Sequence, residues 1–127
     1  MGKPAAKQGD RVVGVDVHLV QPPGAPSPIP VPLPFQGTLS GALSRNVKIE
    51  KRPAAMFGST VRNTPPHPPL PYVKPPTNEG RVFLASFTVF INGRPAARSG
   101  DLVLTCGDPV PLPTAVVQAT GTVRIGG

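Results

Sequence analysis

Hydrophobic and polar positions alternate in short bursts along this chain and never settle into a helical period. Val47-Lys48-Ile49 and Val89-Phe90-Ile91 both read Val-x-Ile, the two-residue period of a strand that buries one face. A two-residue turn follows each, Glu50-Lys51 in one copy and Asn92-Gly93 in the other, and Asn-Gly is the strongest short hairpin signal. Shorter apolar stretches at Arg11-Val12-Val13-Gly14-Val15, Thr60-Val61-Arg62 and Leu102-Val103-Leu104 predict three more strands. The pattern predicts an all-β protein of short strands.

The strands are phased by a repeated heptad. Pro4-Ala5-Ala6-Lys7-Gln8-Gly9-Asp10, Pro53-Ala54-Ala55-Met56-Phe57-Gly58-Ser59 and Pro95-Ala96-Ala97-Arg98-Ser99-Gly100-Asp101 share Pro-Ala-Ala-x-x-Gly-[Asp/Ser]. A basic residue precedes each: Lys3, Arg52 and Arg94. Val-x-Ile begins six residues before Pro53 and six before Pro95. The first heptad lacks this strand because the chain starts there, but the chain ends on Val123-Arg124-Ile125-Gly126-Gly127. Joining that end to Met1-Gly2-Lys3-Pro4 completes a third copy. The Pro-to-Pro spacings are then 49, 42 and 36 residues, and together they use the whole chain. The expectation is one pseudo-threefold domain over 1–127, with units starting near Pro4, Pro53 and Pro95 and with the C-terminal strand paired to the N-terminal segment. That pairing covers an otherwise open sheet edge. The heptad glycine is expected to supply a positive φ, and the Asp or Ser beside it to hold the turn through its own backbone.

Composition sharpens this picture. Pro (20) and Gly (14) are the two poorest helix formers, so helix is excluded as the main element. Seven prolines fall in residues 21–35, seven in 65–76 and three in 109–113, each cluster beyond the post-heptad strand. They read as stiff, irregular or polyproline-like loops. No apolar run reaches 18 residues, so no stable membrane insertion is expected. The N-terminus has no apolar signal-peptide core, which predicts no signal peptide. The net charge of +7 comes from scattered Lys and Arg that form no run longer than Lys51-Arg52, with one Tyr and no Trp, which argues against a nucleic-acid partner. One Cys excludes an intrachain disulfide.

That Cys joins the chain's only two histidines in a common phase. His18 lies 14 residues after Pro4, His67 lies 14 after Pro53, and Cys106 lies 11 after Pro95. Equivalent positions of a pseudo-threefold domain converge on its axis, and two imidazoles with a thiolate make a donor set suited to zinc. Structural zinc takes four ligands. The fourth is open among Asp16, Asp108, a water and a partner group. No HExxH spacing, nucleophile elbow, phosphate loop or paired carboxylate occurs, so the chain reads as a non-enzyme with a structural metal.

The heptads resemble the PAAR-repeat family, whose Pro-Ala-Ala-Arg signature is complete at Pro95-Ala96-Ala97-Arg98, with Lys7 and Met56 in the Arg place of the other copies. The resemblance implies a small β-rich cone that caps the trimeric spike, VgrG in type VI secretion, of a contractile injection machine or a related extracellular phage-tail-like particle. It implies one copy per trimer, a role in membrane puncture, recruitment of effector proteins, and assembly in the cytoplasm before expulsion with the spike. It also implies zinc held by His18, His67 and Cys106. The family commonly uses three His and one Cys, and this chain departs by one ligand. Many relatives carry a toxin domain, for which this chain is expected to have no room. Two other readings are a Pro-rich module presenting polyproline ligands to aromatic grooves and a small zinc hydrolase.

Overall fold

The structure is a computed structural model that describes residues 2–126; among these there are twelve short strands and no helix. Three of the sheets are two-stranded hairpins of equal register. β1 (Lys3–Pro4) pairs with β12 (Arg124–Ile125), β4 (Lys48–Ile49) with β5 (Arg52–Pro53), and β8 (Phe90–Ile91) with β9 (Arg94–Pro95). Lys3 faces Ile125, Arg52 faces Ile49 and Arg94 faces Ile91. The chain's end therefore completes the unit that its beginning leaves open. Met1 and Gly127, which the head-to-tail joint also uses, lie outside the described residues. The two internal turns have positive φ at both central residues, 51° and 71° at Glu50-Lys51 and 52° and 77° at Asn92-Gly93. These are the conformations that match the twist of a two-residue hairpin.

The heptads meet around the pseudo-threefold axis. Ala6 N–H donates to Ala97 O (2.9 Å), Ala97 N–H to Ala55 O (3.1 Å) and Ala55 N–H to Ala6 O (3.0 Å), a closed ring of three bonds. A second ring runs from Gln8 to Pro53, from Phe57 to Pro95 and from Ser99 to Pro4. Backbones this close leave room for little beyond a methyl group, and all six heptad alanines are buried. The first alanine of each pair packs with the three hairpin isoleucines, Ile49, Ile91 and Ile125. The second faces the main core. Gly9, Gly58 and Gly100 have φ of +87°, +89° and +88°, the left-handed region where a Cβ is strained. The following residue closes the turn as expected: Asp10, Ser59 and Asp101 each accept the N–H three residues back.

One substitution within the repeat is paired. Lys7 binds Asp10 and Arg98 binds Asp101 as nearly buried ion pairs, at 3.2 and 2.8 Å. In the second unit both partners change together, to Met56 and Ser59. Changing only one would leave a buried charge alone, which costs several kcal/mol.

Above the heptads lies a closed barrel to which each unit gives two antiparallel strands. They are β2 (Arg11–Val20) with β3 (Ile29–Gly41), β6 (Thr60–Arg62) with β7 (Glu79–Val82), and β10 (Leu102–Leu104) with β11 (Ala115–Gln118). Phe35, Leu39, Val12, Val61, Val82, Val103 and Val117 fill its heptad end. Burying a side chain such as Phe or Leu contributes about 1.5–3 kcal/mol each.

The first proline cluster departs from expectation. Residues 21–28 form the loop, but Ile29–Phe35 belongs to β3, with Pro30, Pro32 and Pro34 opposite Leu19, Val17 and Val15. Alternate prolines leave every other N–H intact on one side of the strand, the side that faces β2. The other edge of this stretch has no strand partner, so the missing donors cost no ladder bond. The first post-heptad strand is also longer than its apolar start suggested, running ten residues to Val20.

Candidate metal centre

β2 carries the apolar core into a polar pocket. Its inward positions are Val12, Gly14, Asp16, His18 and Val20, while Val15 and Val17 face outward. A strand rises about 3.3 Å per residue, so His18 stands roughly 23 Å along the strand from Arg11 and the heptad end. His67 comes from the segment after β6, and Cys106 lies two residues past β10.

Asp16, His18, His67 and Cys106 each offer one donor atom, and these four atoms lie within 4.8 Å of one another. Asp16, His18 and His67 are buried, and Cys106 is partly exposed. Asp16 Oδ2 is the common neighbour, at 3.2 Å from His18 Nε2, 3.0 Å from His67 Nε2 and 2.9 Å from Cys106 Sγ. Cys106 Sγ is 3.6 Å from His18 Nε2. Tetrahedral zinc with bonds of about 2.0–2.3 Å places its ligands roughly 3.3–3.8 Å apart. The Asp16 separations would widen by a few tenths of an ångström and the longest donor pair would close from within 4.8 Å, so four donors of N, N, S and O type fit a zinc-like ion after small movements. Two buried atoms also lack a hydrogen-bond partner, Asp16 Oδ1 and His18 Nδ1.

The surroundings orient the rings. Asp108 Oδ2 stands 3.4 Å from His18 Nδ1 and accepts the Leu19 N–H at 3.0 Å. It makes no hydrogen bond to Nδ1 here, but its charge beside that atom favours the tautomer protonated there, which frees Nε2 as a ligand. Asp16 is thus the fourth donor of the group, and Asp108 stands behind His18. His67 is held by its N–H to Asn78 Oδ1 (2.8 Å), and the Asn63 amide lies 3.2 Å from His67 Nδ1. The Gln36 N–H fixes Asn63 in turn. Tyr72 packs edge-on against His18, with ring centroids 5.6 Å apart. The segment around it is tied to the end of β2 by Gln21 N–H to Pro71 O and by Val73 N–H to Leu19 O. The second proline cluster therefore folds back over the centre and delivers His67 to it.

The electrostatics are those of a proton-sharing network. Burial works to raise the Asp16 pKa, but the hydrogen-bonding groups around it, Cys106 foremost, then Thr105, His67 and His18, hold it below the ordinary 3.8. Burial, and then the hydrogen bond to Asp16 and its charge, push the Cys106 thiol up from 9.0 to about 11. Without a cation the sulfur is a protonated donor to Asp16. A cation at this point would stabilise the thiolate instead.

A family model described as PAAR motif matches residues 73–127, a span that holds the third heptad, its hairpin and the last strands of the barrel. The match spans less than half of the chain and supports a PAAR-repeat protein. That motif supports a spike-tip protein in general. A comparison with curated proteins finds no match. In this chain the three residues singled out by their phase come together, and a fourth donor, Asp16, joins them from a strand already carrying His18. Asn63, Asn78 and Tyr72 carry no signal in the sequence, because their roles depend on how a proline-rich segment folds back.

Proposed function

We propose that the whole chain forms one domain that caps a trimeric, VgrG-like spike of a contractile injection machine, one copy per trimer, and stiffens the point that meets a membrane. The closed ring of hydrogen bonds among Ala6, Ala55 and Ala97 carries this reading, because it gives a single polypeptide a threefold end. A threefold end can meet a threefold spike with three equivalent contacts. Structural zinc on His18, His67 and Cys106, with Asp16 as fourth ligand, would cross-link all three units at the opposite end. A small domain under load gains most from such a staple. When bound, the metal supplies rigidity and no chemistry on a substrate.

On this reading the protein is not an enzyme, is assembled in the cytoplasm, leaves with the expelled spike and recruits effectors on its exposed faces. The polyproline-ligand alternative is weakened because Ile29–Phe35 is committed to a strand and His67 is buried inside the second cluster. The hydrolase alternative is weakened because Asp16 stands where a substrate water would have to bind.

The test is to mix the protein with a trimeric spike fragment and weigh the complex by light scattering. One chain per trimer is expected. No complex, or three chains per trimer, would overturn the proposal.

A further inference from the structure

The pairing of Met56 with Ser59 leaves a space that the other units fill. In the first unit the Lys7 ammonium reaches Thr120 O at 2.7 Å, and in the third an Arg98 guanidinium nitrogen reaches Gly126 O at 3.4 Å. In the second unit the short Ser59 hydroxyl caps the turn and donates to Ala42 O, and no long cation follows. A pocket of about 400 Å³ opens there. Ala42, Leu43 and Met56 give it an apolar lining, and Arg45, Asn46 and Arg94 bring hydrogen-bond donors to it.

No acid lines this pocket, and neither arginine has a carboxylate partner among the described residues. The chain has six acids. Asp10 and Asp101 are bound in the heptads, Asp16 and Asp108 at the metal centre, and Glu50 to Thr122; Glu79 lines a separate pocket beside Cys106. The repeat also shows what this corner accepts. Aligned on the hairpin isoleucines, Asn92 stands in the place of Glu50, and Arg45 in the place of Gly121. At the first corner the Glu50 carboxylate lies against Gly121 and accepts the Thr122 N–H at 3.2 Å. At the second corner that internal carboxylate is replaced by an amide, and a guanidinium is added.

We infer that the pocket between Met56, Arg45 and Arg94 binds a carboxylate on a short apolar stem, an acidic side chain of a docked protein partner. The apolar lining suits methylenes, and the guanidinium forks suit a carboxylate. Among the described residues only this corner is built this way, Gly126 and Phe87 standing in these places at the third, so an otherwise threefold end would have one distinguishable contact. The inference takes from the proposed function only that a protein docks at this end.

Glutarate is the probe, titrated against the full chain while the Met56 methyl and the arginine side-chain N–H signals are followed by NMR. Because the probe is a small dicarboxylate, the outcome does not depend on whether a spike fragment binds. Saturable shifts are expected with a Kd on the order of 1 mM, and no saturation with neutral glutaramide. Arg45→Gln and the double variant Met56→Arg/Ser59→Asp should each weaken binding about tenfold or more. The double variant copies the third unit, so it retains a heptad pairing already compatible with the fold. Absence of saturable shifts, equal affinity in the double variant, or sulfate binding as tightly as glutarate would overturn the inference.

Discussion

Chelating the zinc proposed for the centre should lower the melting temperature of the zinc-loaded protein by more than about 20 °C. The four donors come from all three units, so one ion held by them would close loops that span most of the sequence. Structural zinc contributes an apparent ~10–16 kcal/mol in small domains near pH 7. Part of that is offset here because Asp16 already collects hydrogen bonds from the other donors without an ion. His18→Ala/His67→Ala should show the same low melting point with or without added zinc. Asp108→Asn, which leaves every donor in place, should lower zinc affinity about 10–100-fold.

The pH response should change with loading: the alkaline loss belongs to the chelated protein alone, and the acid loss sets in at higher pH in the loaded one. In the chelated protein the Cys106 pKa is raised in the fold, so its contribution is complete below 9.0 and is lost as pH rises through about 11. Asp16 is shifted the other way, so its contribution is present above 3.8 and is lost as pH falls through its lower folded value. The loaded protein needs thiolate and free imidazole, so it should instead weaken progressively toward acid as protons compete for the donors. Thermal melts across pH, with and without chelator, separate the two patterns. Identical curves would mean that the four residues are only a hydrogen-bonded core.

Asp101→Ala should destabilise the protein by about 3–5 kcal/mol, or roughly 10–20 °C. Arg98 is 6% exposed. Asp101 accepts from its Nη2 at 2.8 Å, its Nε at 3.2 Å and its backbone N–H at 2.7 Å. Removing the carboxylate leaves a desolvated guanidinium and an orphaned backbone donor at the ring where the units meet. The paired change Arg98→Met/Asp101→Ser copies the second unit and should cost less than about half as much, because Ser restores the backbone cap and no charge is stranded. Urea unfolding of the wild type, the single variant and the pair gives the comparison. A pair as damaging as the single change would show that the second unit tolerates Met56 and Ser59 for another reason.

The heptads, their hairpins and the closure between the two ends were all legible in the sequence. Each rests on local chemistry: a glycine that needs positive φ, an acid or hydroxyl that caps, and a Val-x-Ile followed by a turn. The return strands of the barrel were not. β3 carries proline at 30, 32 and 34, which reads as loop until β2 is known to lie along one edge only. β7 is Glu-Gly-Arg-Val, with too little apolar surface to announce itself. β2 misleads in a different way. Its odd positions Val13, Val15, Val17 and Leu19 look like the buried face, yet Val15 and Val17 point to solvent and Asp16 and His18 point in. The common phase of His18, His67 and Cys106 identified the centre despite this. The choice of Asp16 over Asp108 waited on knowing that residues 16 and 18 share the inner face and that Asp108 sits behind the His18 ring.

The most direct measurement of the claim that one chain closes into a three-unit ring is native-state amide hydrogen exchange at Ala6, Ala55 and Ala97. A closed ring predicts that all three amides exchange only through global unfolding, with equal protection, although Ala6 lies near the start of the chain. Faster exchange at Ala6 than at Ala55 and Ala97, by tenfold or more in a loaded and folded sample, would show an open first unit and contradict the account.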